Sequence, residues 1–265
     1  MSSHELDSST AAATGDPPNP SKPPRPPLSV DRDFLGHLEA YLAKRDGVDK
    51  ILKICRYATK IILASSAVPE ALPIHKRLKS FEASVGLSRK AFRLGKFVQD
   101  VNALRASSFR SREDLLLSVV AYGGEGLYYF VEQFVWLAKS GLIDGKHSRG
   151  LQTISAWAEF VGYLGSIWLK IRGLRVMLEE EACLISSIEI GNARGVKCGD
   201  EELKLSKVRE KRMLKSLSTI QDVADLLMAL ADIRDGRGRL SAPIVVSSAG
   251  LLSALISTHK NWISC

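Results

Sequence analysis

Seven of the ten prolines in this 265-residue sequence lie between Pro17 and Pro27, so the long remainder of the chain contains almost none. Proline fixes φ and removes a backbone hydrogen-bond donor, and it therefore interrupts helices. The chain after Pro27 contains few prolines and can therefore form long helices. Apolar residues then recur at helical spacing from Asp33 onwards, and the sequence predicts an all-α fold.

The first thirty residues are rich in Ser, Ala and Pro and have no apolar periodicity. Such a segment cannot bury enough surface to offset the entropy lost on ordering, so residues 1–30 are predicted to form a disordered tail. Its PxxP spacings also fit an SH3-type ligand, although a solvated extension is the commoner explanation. Residues 1–15 lack the basic patch and apolar run of a secretory signal, and none is expected.

The net charge of +8 is concentrated in one segment, since residues 44–105 contain fourteen Lys or Arg against five Asp or Glu, a local charge of +9. A basic excess of this kind indicates an anionic partner, either nucleic acid or an anionic membrane surface. No helix-turn-helix, RRM or zinc-finger motif is present, so no nucleic-acid partner is expected. The four cysteines have no paired spacing, so neither a metal site nor a disulfide framework is predicted. Residues 31–112 therefore form a predicted basic, amphipathic-helical region whose partner is anionic lipid.

The segment after Val85 combines apolar and basic residues at helical spacing. We expect a helix from Leu87 to about Arg105, with successive side chains about 100° apart. An apolar arc bordered by cations is typical of a helix in a headgroup layer, although a core-facing helix with a solvated basic side has the same pattern. Phe92 lies off the arc and Lys90 at its edge, which favours membrane binding. The arc comprises Leu87, Ala91, Leu94, Phe97, Val98, Val101 and Leu104, and the cationic sector comprises Arg89, Arg93 and Lys96.

Residues 113–265 are predicted to form an apolar helical membrane region. The stretch from Leu115 to Ala138 is long enough for a hydrocarbon layer of about 30 Å. Residues 151–178 favour a buried or interfacial helix, 203–233 a long packing helix, and 242–258 a C-terminal membrane segment with basic and Trp flanks. The expected architecture is a membrane-associated helical bundle with amphipathic interfacial helices and one or two membrane-spanning helices.

Glu125 and Glu132 are the only charged residues in the first apolar stretch, and their spacing places them on one helix face. Two interpretations remain open. The pair lines a pore for small metabolites, or it packs in the bundle against Lys170, Arg172 or backbone donors. Nucleotide-binding, zinc-protease and serine-hydrolase motifs are absent, so neither an enzyme nor a cofactor is expected.

With these residues in view, the chain over about residues 30–265 resembles the peroxin-eleven family of peroxisomal membrane proteins, and especially its plant-type branch. The resemblance is carried by four motifs: Arg45 to Lys50, Ser88 to Phe97, Glu125 to Tyr129 and Ala231 to Gly236. The C-terminal residues 260–265 match neither a Ser-Lys-Leu-type matrix address nor the dilysine ending of some relatives.

The resemblance implies an integral protein of the peroxisomal membrane with both termini in the cytosol. It would remodel and elongate that membrane, promote division and proliferation, and control the size and number of the organelles. The amphipathic helix would fall on Leu87 to Leu104 and insert into the cytosolic leaflet. The implied partners are anionic lipids, further copies of the chain and family paralogues, a Fis-type adaptor, and the dynamin-related GTPase of the division machinery.

Overall fold

The computed structural model describes residues 33–65, 67–107, 112–195 and 198–265. These residues form helices joined by short turns, with no strand among them, which confirms the expected all-α fold. The predicted disordered tail, residues 1–30, lies outside the described residues. The helices are α1 Phe34–Ala43, α2 Arg45–Ala64, α3 Pro73–Phe92, α4 Phe97–Ala106, α5 Arg112–Lys139, α6 Ser148–Ala193, α7 Gly199–Ile233 and α8 Pro243–Ile263.

Six of the helices pack as a closed ring. Helices α5, α6, α7 and α8 follow one another around it, and α8 then packs on α2, α2 on α3, and α3 back on α5. Helix α4 lies against the outside of α5, and α1 packs on α2. The side chains at the centre of the ring therefore come from segments that are far apart in the sequence.

The contact between α5 and α6 depends on glycine. A Cβ atom on Gly124 would lie 2.7 Å from the backbone of Gly162, and one on Gly165 would lie 2.8 Å from the backbone nitrogen of Ala121. Small residues let two helix backbones approach this closely. The glycine-rich cluster at residues 123–126 thus serves close helix packing, and α5 runs through it without a break.

The predicted single helix from Leu87 to Arg105 is wrong. Helix α3 continues through residue 87 to Phe92, and α4 starts at Phe97. Between them Gly95 adopts a left-handed conformation with φ of 73°, which a residue without a Cβ accepts at little cost. The apolar arc is consequently divided between two helices that meet at this turn.

The helix predicted over residues 151–178 is much longer, because α6 runs from Ser148 to Ala193. The prediction ended at Leu178 because the sequence is less apolar beyond it. The charged residues that follow continue the helix and pack on α7. Glu181 of α6 pairs with Arg209 at 2.9 Å and with Arg212 at 2.7 Å. Helix α7 in turn begins before Leu203, at Gly199.

In the described ranges, no helix combines the length and the apolar character that crossing a bilayer requires. The expected one or two membrane-spanning helices are therefore not found there. In α8 the hydroxyls of Ser247, Ser253 and Ser257 lie on the buried face and lower the apolar content of the segment expected at 242–258. In α5 the carboxylate of Glu132 is buried within the predicted 115–138 span.

Candidate functional site

The helix ring surrounds a cavity of about 880 Å³ whose two sides differ in charge. The side formed by α2, α3 and the residue after α3 contributes seven cations, with Glu82 as its one carboxylate among the lining residues. The side formed by α5, α6 and α7 contributes most of the acids. The cations are Lys53, Arg56, Lys60, Lys79, Arg89, Lys90 and Arg93, and the opposing acids are Glu132, Glu159, Asp225, Asp232 and Asp235.

A buried triad joins α2, α7 and α8 at the cavity. The ammonium of Lys53 lies 2.8 Å from a carboxylate oxygen of Asp225, and the hydroxyl of Ser253 lies 2.6 Å from both groups. Burial opposes the charge of Asp225, but the adjacent ammonium and these hydrogen bonds hold its pKa below the usual range. Burial lowers the pKa of Lys53, and the charge of Asp225 opposes that shift, so each group compensates the other inside the bundle.

A second buried pair joins α2 to α3, since Arg89 Nε donates to Asp49 Oδ1 at 3.0 Å and Arg89 is only 3% exposed. Burial opposes the charge of Asp49, but Arg93 and Arg89 keep its pKa well below the usual value. A third link joins α3 to α5, where Glu132 accepts hydrogen bonds from Lys90 and, at 3.3 Å, from Ser155 of α6.

Arg93 is placed differently from these paired cations. Its guanidinium donates to the hydroxyl of Tyr128 and lies 5.8 Å from the centre of the same ring. Across the described part of the chain, no carboxylate lies within ion-pair distance of it. Glu159 lines the same cavity, and burial raises its pKa to about 8. At neutral pH this carboxyl is consequently mostly protonated.

The structure directs the predicted basic border of the membrane-binding helix into the protein. Arg89 and Lys90 are held by Asp49 and Glu132, Arg93 by Tyr128, and Lys96 lies 3.1 Å from Asp46. The expected outward-facing cationic sector is therefore not present in this conformation. Buried cations require acids on neighbouring helices. The acidic residues Asp46, Asp49 and Glu132 were therefore the sequence signal that could have indicated inward-facing cations.

The predicted apolar arc divides into exposed and packed residues. Leu94, Val98 and Val101 are 45% to 49% exposed around the turn between α3 and α4. Phe97 packs edge-on against Phe130 of α5, with ring centres 5.6 Å apart. The arc thus leaves a small apolar patch, hereafter the α4 patch, formed by Leu94, Val98 and Val101. The half-buried remainder of the arc consists of Leu87, Ala91, Phe97 and Leu104, and Phe92, which lies off the arc, is also half-buried.

A larger exposed apolar surface runs along α6. Its members recur at alternating spacings of three and four, so they form a continuous stripe on one side of the helix. Contiguous apolar surface of this kind marks a binding site for a membrane or a partner. We call this stripe the α6 ridge; it consists of Ile154, Trp157, Val161, Leu164, Trp168 and Ile171.

The structure separates the two glutamates of α5. Glu132 lines the cavity and pairs with Lys90, whereas Glu125 is not among the lining residues and accepts a 3.4 Å hydrogen bond from Tyr129. Of the expected packing partners, Lys170 pairs with Asp222 and Arg172 with Asp114, while the positive charge of Lys170 also opposes the rise that burial causes in the pKa of Glu125. The partner of Glu132 was missed because Lys90 lies 42 residues away in the sequence.

The family model for peroxisomal biogenesis factor 11 (PEX11) matches residues 35–262. The chain is 68% identical over 235 residues to Peroxisomal membrane protein 11A of Arabidopsis thaliana, covering 89% of this chain and 95% of the relative. It is 55% identical over 234 residues to Peroxisomal membrane protein 11-3 of Oryza sativa subsp. japonica, covering 88% and 91%. No solved structure matches.

Proposed function

The chain belongs to the peroxisomal biogenesis factor 11 (PEX11) family, and from this premise we propose that it remodels and elongates the peroxisomal membrane. This activity promotes division and proliferation of the organelle and so controls its size and number. The names of the relatives, which are peroxisomal membrane proteins, support this location.

The observation that carries the proposal is the exposed apolar surface of the bundle. Trp157 and Trp168 of the α6 ridge are 51% and 58% exposed. Aromatic side chains of this type favour the headgroup level of a bilayer, where the ring is buried and its N–H group remains hydrated. The α4 patch is a second, smaller exposed apolar surface that is available to lipid.

The electrostatic attraction comes from cations other than those that the sequence favoured. With Arg89, Lys90 and Arg93 directed inward, the outward basic groups of this region include Lys76 and Arg77 of α3. Each contributes about 1 kcal/mol near an anionic leaflet, so attraction requires several acting together.

The mechanism is a wedge in one leaflet. Apolar side chains that enter the headgroup and acyl boundary to a depth of about 5–10 Å enlarge the area of that leaflet alone, so the membrane curves toward the protein. Many copies side by side add their areas. We propose that further copies of the chain and family paralogues supply this crowding, with the termini in the cytosol, where a Fis-type adaptor and a dynamin-related GTPase act on the tubule.

A pore for small metabolites receives no comparable support. That alternative placed Glu125 and Glu132 in one lining, and the two carboxylates have different surroundings.

The proposal is tested with the purified full chain and liposomes of phosphatidylcholine with 30% phosphatidylserine. Flotation measures binding and electron microscopy measures tubulation. We expect Trp157→Glu with Trp168→Glu to weaken binding by at least about tenfold and to abolish tubules. The matched control is Leu203→Glu, an equally exposed apolar site at the start of α7.

A second variant, Leu94→Glu with Val98→Glu, tests the α4 patch separately. Circular dichroism checks that the helical content of every variant is retained. Tubulation that survives both double substitutions would overturn the proposal, because neither apolar surface would then be required. Loss of tubulation in Leu203→Glu as well would also contradict it, since any added negative charge would be sufficient.

A further inference from the structure

The cavity in the helix ring has a deep end and a mouth. Lys53, Arg89 and Asp225 at its deep end are almost fully buried. Lys79, Arg149 and other lining residues are exposed, so the cavity is open to solvent on that side. Its volume of about 880 Å³ lies within the range of small-molecule sites.

The basic side of the cavity has more cations than the structure neutralises. Glu82 is shared by Arg56 at 2.7 Å and Lys60 at 3.7 Å, so one carboxylate serves two cations. Arg93 lies in the same wall and forms no ion pair with a carboxylate among the described residues, although its charge acts on Asp49 from a longer distance. The ion pairs of Lys53 and Lys90 use the acids that face them, so these acids do not compensate the remaining cations.

One of these cations also has an unused donor. Arg89 is 3% exposed and lines the cavity, yet its Nη2 atom has no hydrogen-bond partner within the described residues. A buried guanidinium nitrogen without a partner carries a desolvation cost, which an anionic ligand would remove. Arg93 lies four residues beyond Arg89, just after the end of α3, and lines the same cavity.

The four motifs that carry the family resemblance meet around this wall. Asp49, from the first, holds Arg89, from the second. Tyr128, from the third, accepts a hydrogen bond from Arg93, and Asp232, from the fourth, lines the cavity. The four motifs that carry the family resemblance therefore surround the cavity and not the exposed apolar surface.

We propose that the cavity binds a phosphomonoester, with Arg89 and Arg93 as the groups that contact the phosphate. A guanidinium fork matches two phosphate oxygens at once, which a lysine cannot do. The surplus positive charge of Arg56 and Lys60 compensates the remaining negative charge. The volume exceeds that of phosphate alone, so the ligand also carries a polar body, as a sugar phosphate or a phosphorylated inositol headgroup does.

The acidic side of the cavity is compatible with this ligand. Glu159 is mostly protonated at neutral pH and donates a hydrogen bond rather than repelling the phosphate. Asp232 is exposed at the open side of the cavity, where the polar body of the ligand would lie. Hydroxyl groups on that body then pair with the carboxyl groups.

The full chain is first titrated with inorganic phosphate and with glucose 6-phosphate by isothermal titration calorimetry. A parallel arm measures its binding to phosphatidylcholine vesicles with 5% phosphatidylinositol 4-phosphate, against vesicles matched in charge with phosphatidylserine. Saturable binding of glucose 6-phosphate identifies a free phosphorylated metabolite as the ligand. Binding confined to the phosphoinositide vesicles identifies a lipid headgroup, and either result supports the site.

Arg93→Gln is expected to weaken binding of the responding probe by about tenfold to a hundredfold, the loss of a charge-assisted contact. Arg194→Gln, an exposed arginine after α6, is the matched control and should bind as the unmodified chain does. If circular dichroism shows that Arg93→Gln has lost helicity, Lys60→Gln, at a half-buried position, decides instead.

The proposal is overturned if the unmodified chain shows no saturable binding of inorganic phosphate or glucose 6-phosphate and also binds the phosphoinositide vesicles no more tightly than the phosphatidylserine vesicles. It is also overturned if folded Arg93→Gln, or Lys60→Gln in its place, binds as tightly as the unmodified chain. The calorimetric arm contains no membrane, so its outcome is independent of whether the protein forms tubules.

Discussion

Around the cavity, Lys53, Arg89 and Asp225 are each at most 5% exposed, whereas Trp157, Leu164 and Trp168 on α6 are each at least 49% exposed. Buried ion pairs thus lie inside the ring, and α6 presents an exposed apolar stripe on the outside. An amphipathic pattern in a sequence identifies two faces of a helix but does not say which of them faces outward. Tertiary pairing decides the direction, and here it turns the cations of α3 inward.

Breaking the Lys53–Asp225 pair should have the largest effect on this arrangement. Lys53→Met leaves a buried carboxylate without its ammonium, and we expect the free energy of unfolding to fall by about 3–5 kcal/mol. Chemical denaturation monitored by circular dichroism measures the change. The double variant Lys53→Met with Asp225→Leu removes both charges and should recover most of the loss. Equal instability of the single and double variants would contradict the penalty expected for an unpaired buried carboxylate.

Glu159→Gln should change the pH dependence of stability. Burial raises the pKa of Glu159 from 4.5 to about 8, so the folded state binds a proton that the unfolded chain has already released. This stabilising contribution is complete below pH 4.5 and is lost as the pH rises toward about 8. Denaturation midpoints between these values should therefore decline in the unmodified chain and be flatter in Glu159→Gln. Parallel declines in the two proteins would show that Glu159 is not desolvated.

Substitution on the outer surface should have the smallest effect. Leu164→Ser changes an exposed residue of the α6 ridge, and its free energy of unfolding should stay within about 0.5 kcal/mol of the unmodified value. Val135→Ser, at a fully buried position of α5, should lose about 2 kcal/mol or more. Similar losses in the two variants would mean that the ridge is packed within the bundle and is not available to lipid.

Much of the secondary structure could be predicted from the sequence. Apolar periodicity identified the helical class, and the segment expected from residue 242 begins where α8 does, at Pro243. The end of α3 and the extension of α6 could not be read in this way. The apolar periodicity continues through Gly95, although the helix ends before this residue. Glu181 pairs with Arg209 and Arg212 of α7, which lie about 30 residues further along the chain.

The site was harder to predict, because its pairs are distant in the sequence. Arg89 and Asp49 are separated by 40 residues, and Lys53 and Asp225 by 172. Periodicity describes the surroundings of a residue within its own helix and contains no information about a partner elsewhere. The second motif, Ser88 to Phe97, was predicted to bind a membrane through its cations. The direction in which these cations point depends on acids in other helices, and no local sequence pattern connects the two.

The closed ring also imposes an order in time. Helix α2 is synthesised early, but its partner α8 is the last of the described helices, and the ammonium of Lys53 must wait for Asp225 and Ser253. Until then Lys53 lacks these partners and the ring is open, which leaves its interior surface accessible and makes the nascent chain prone to association with other chains. The ring can therefore close only when nearly the whole chain has been synthesised.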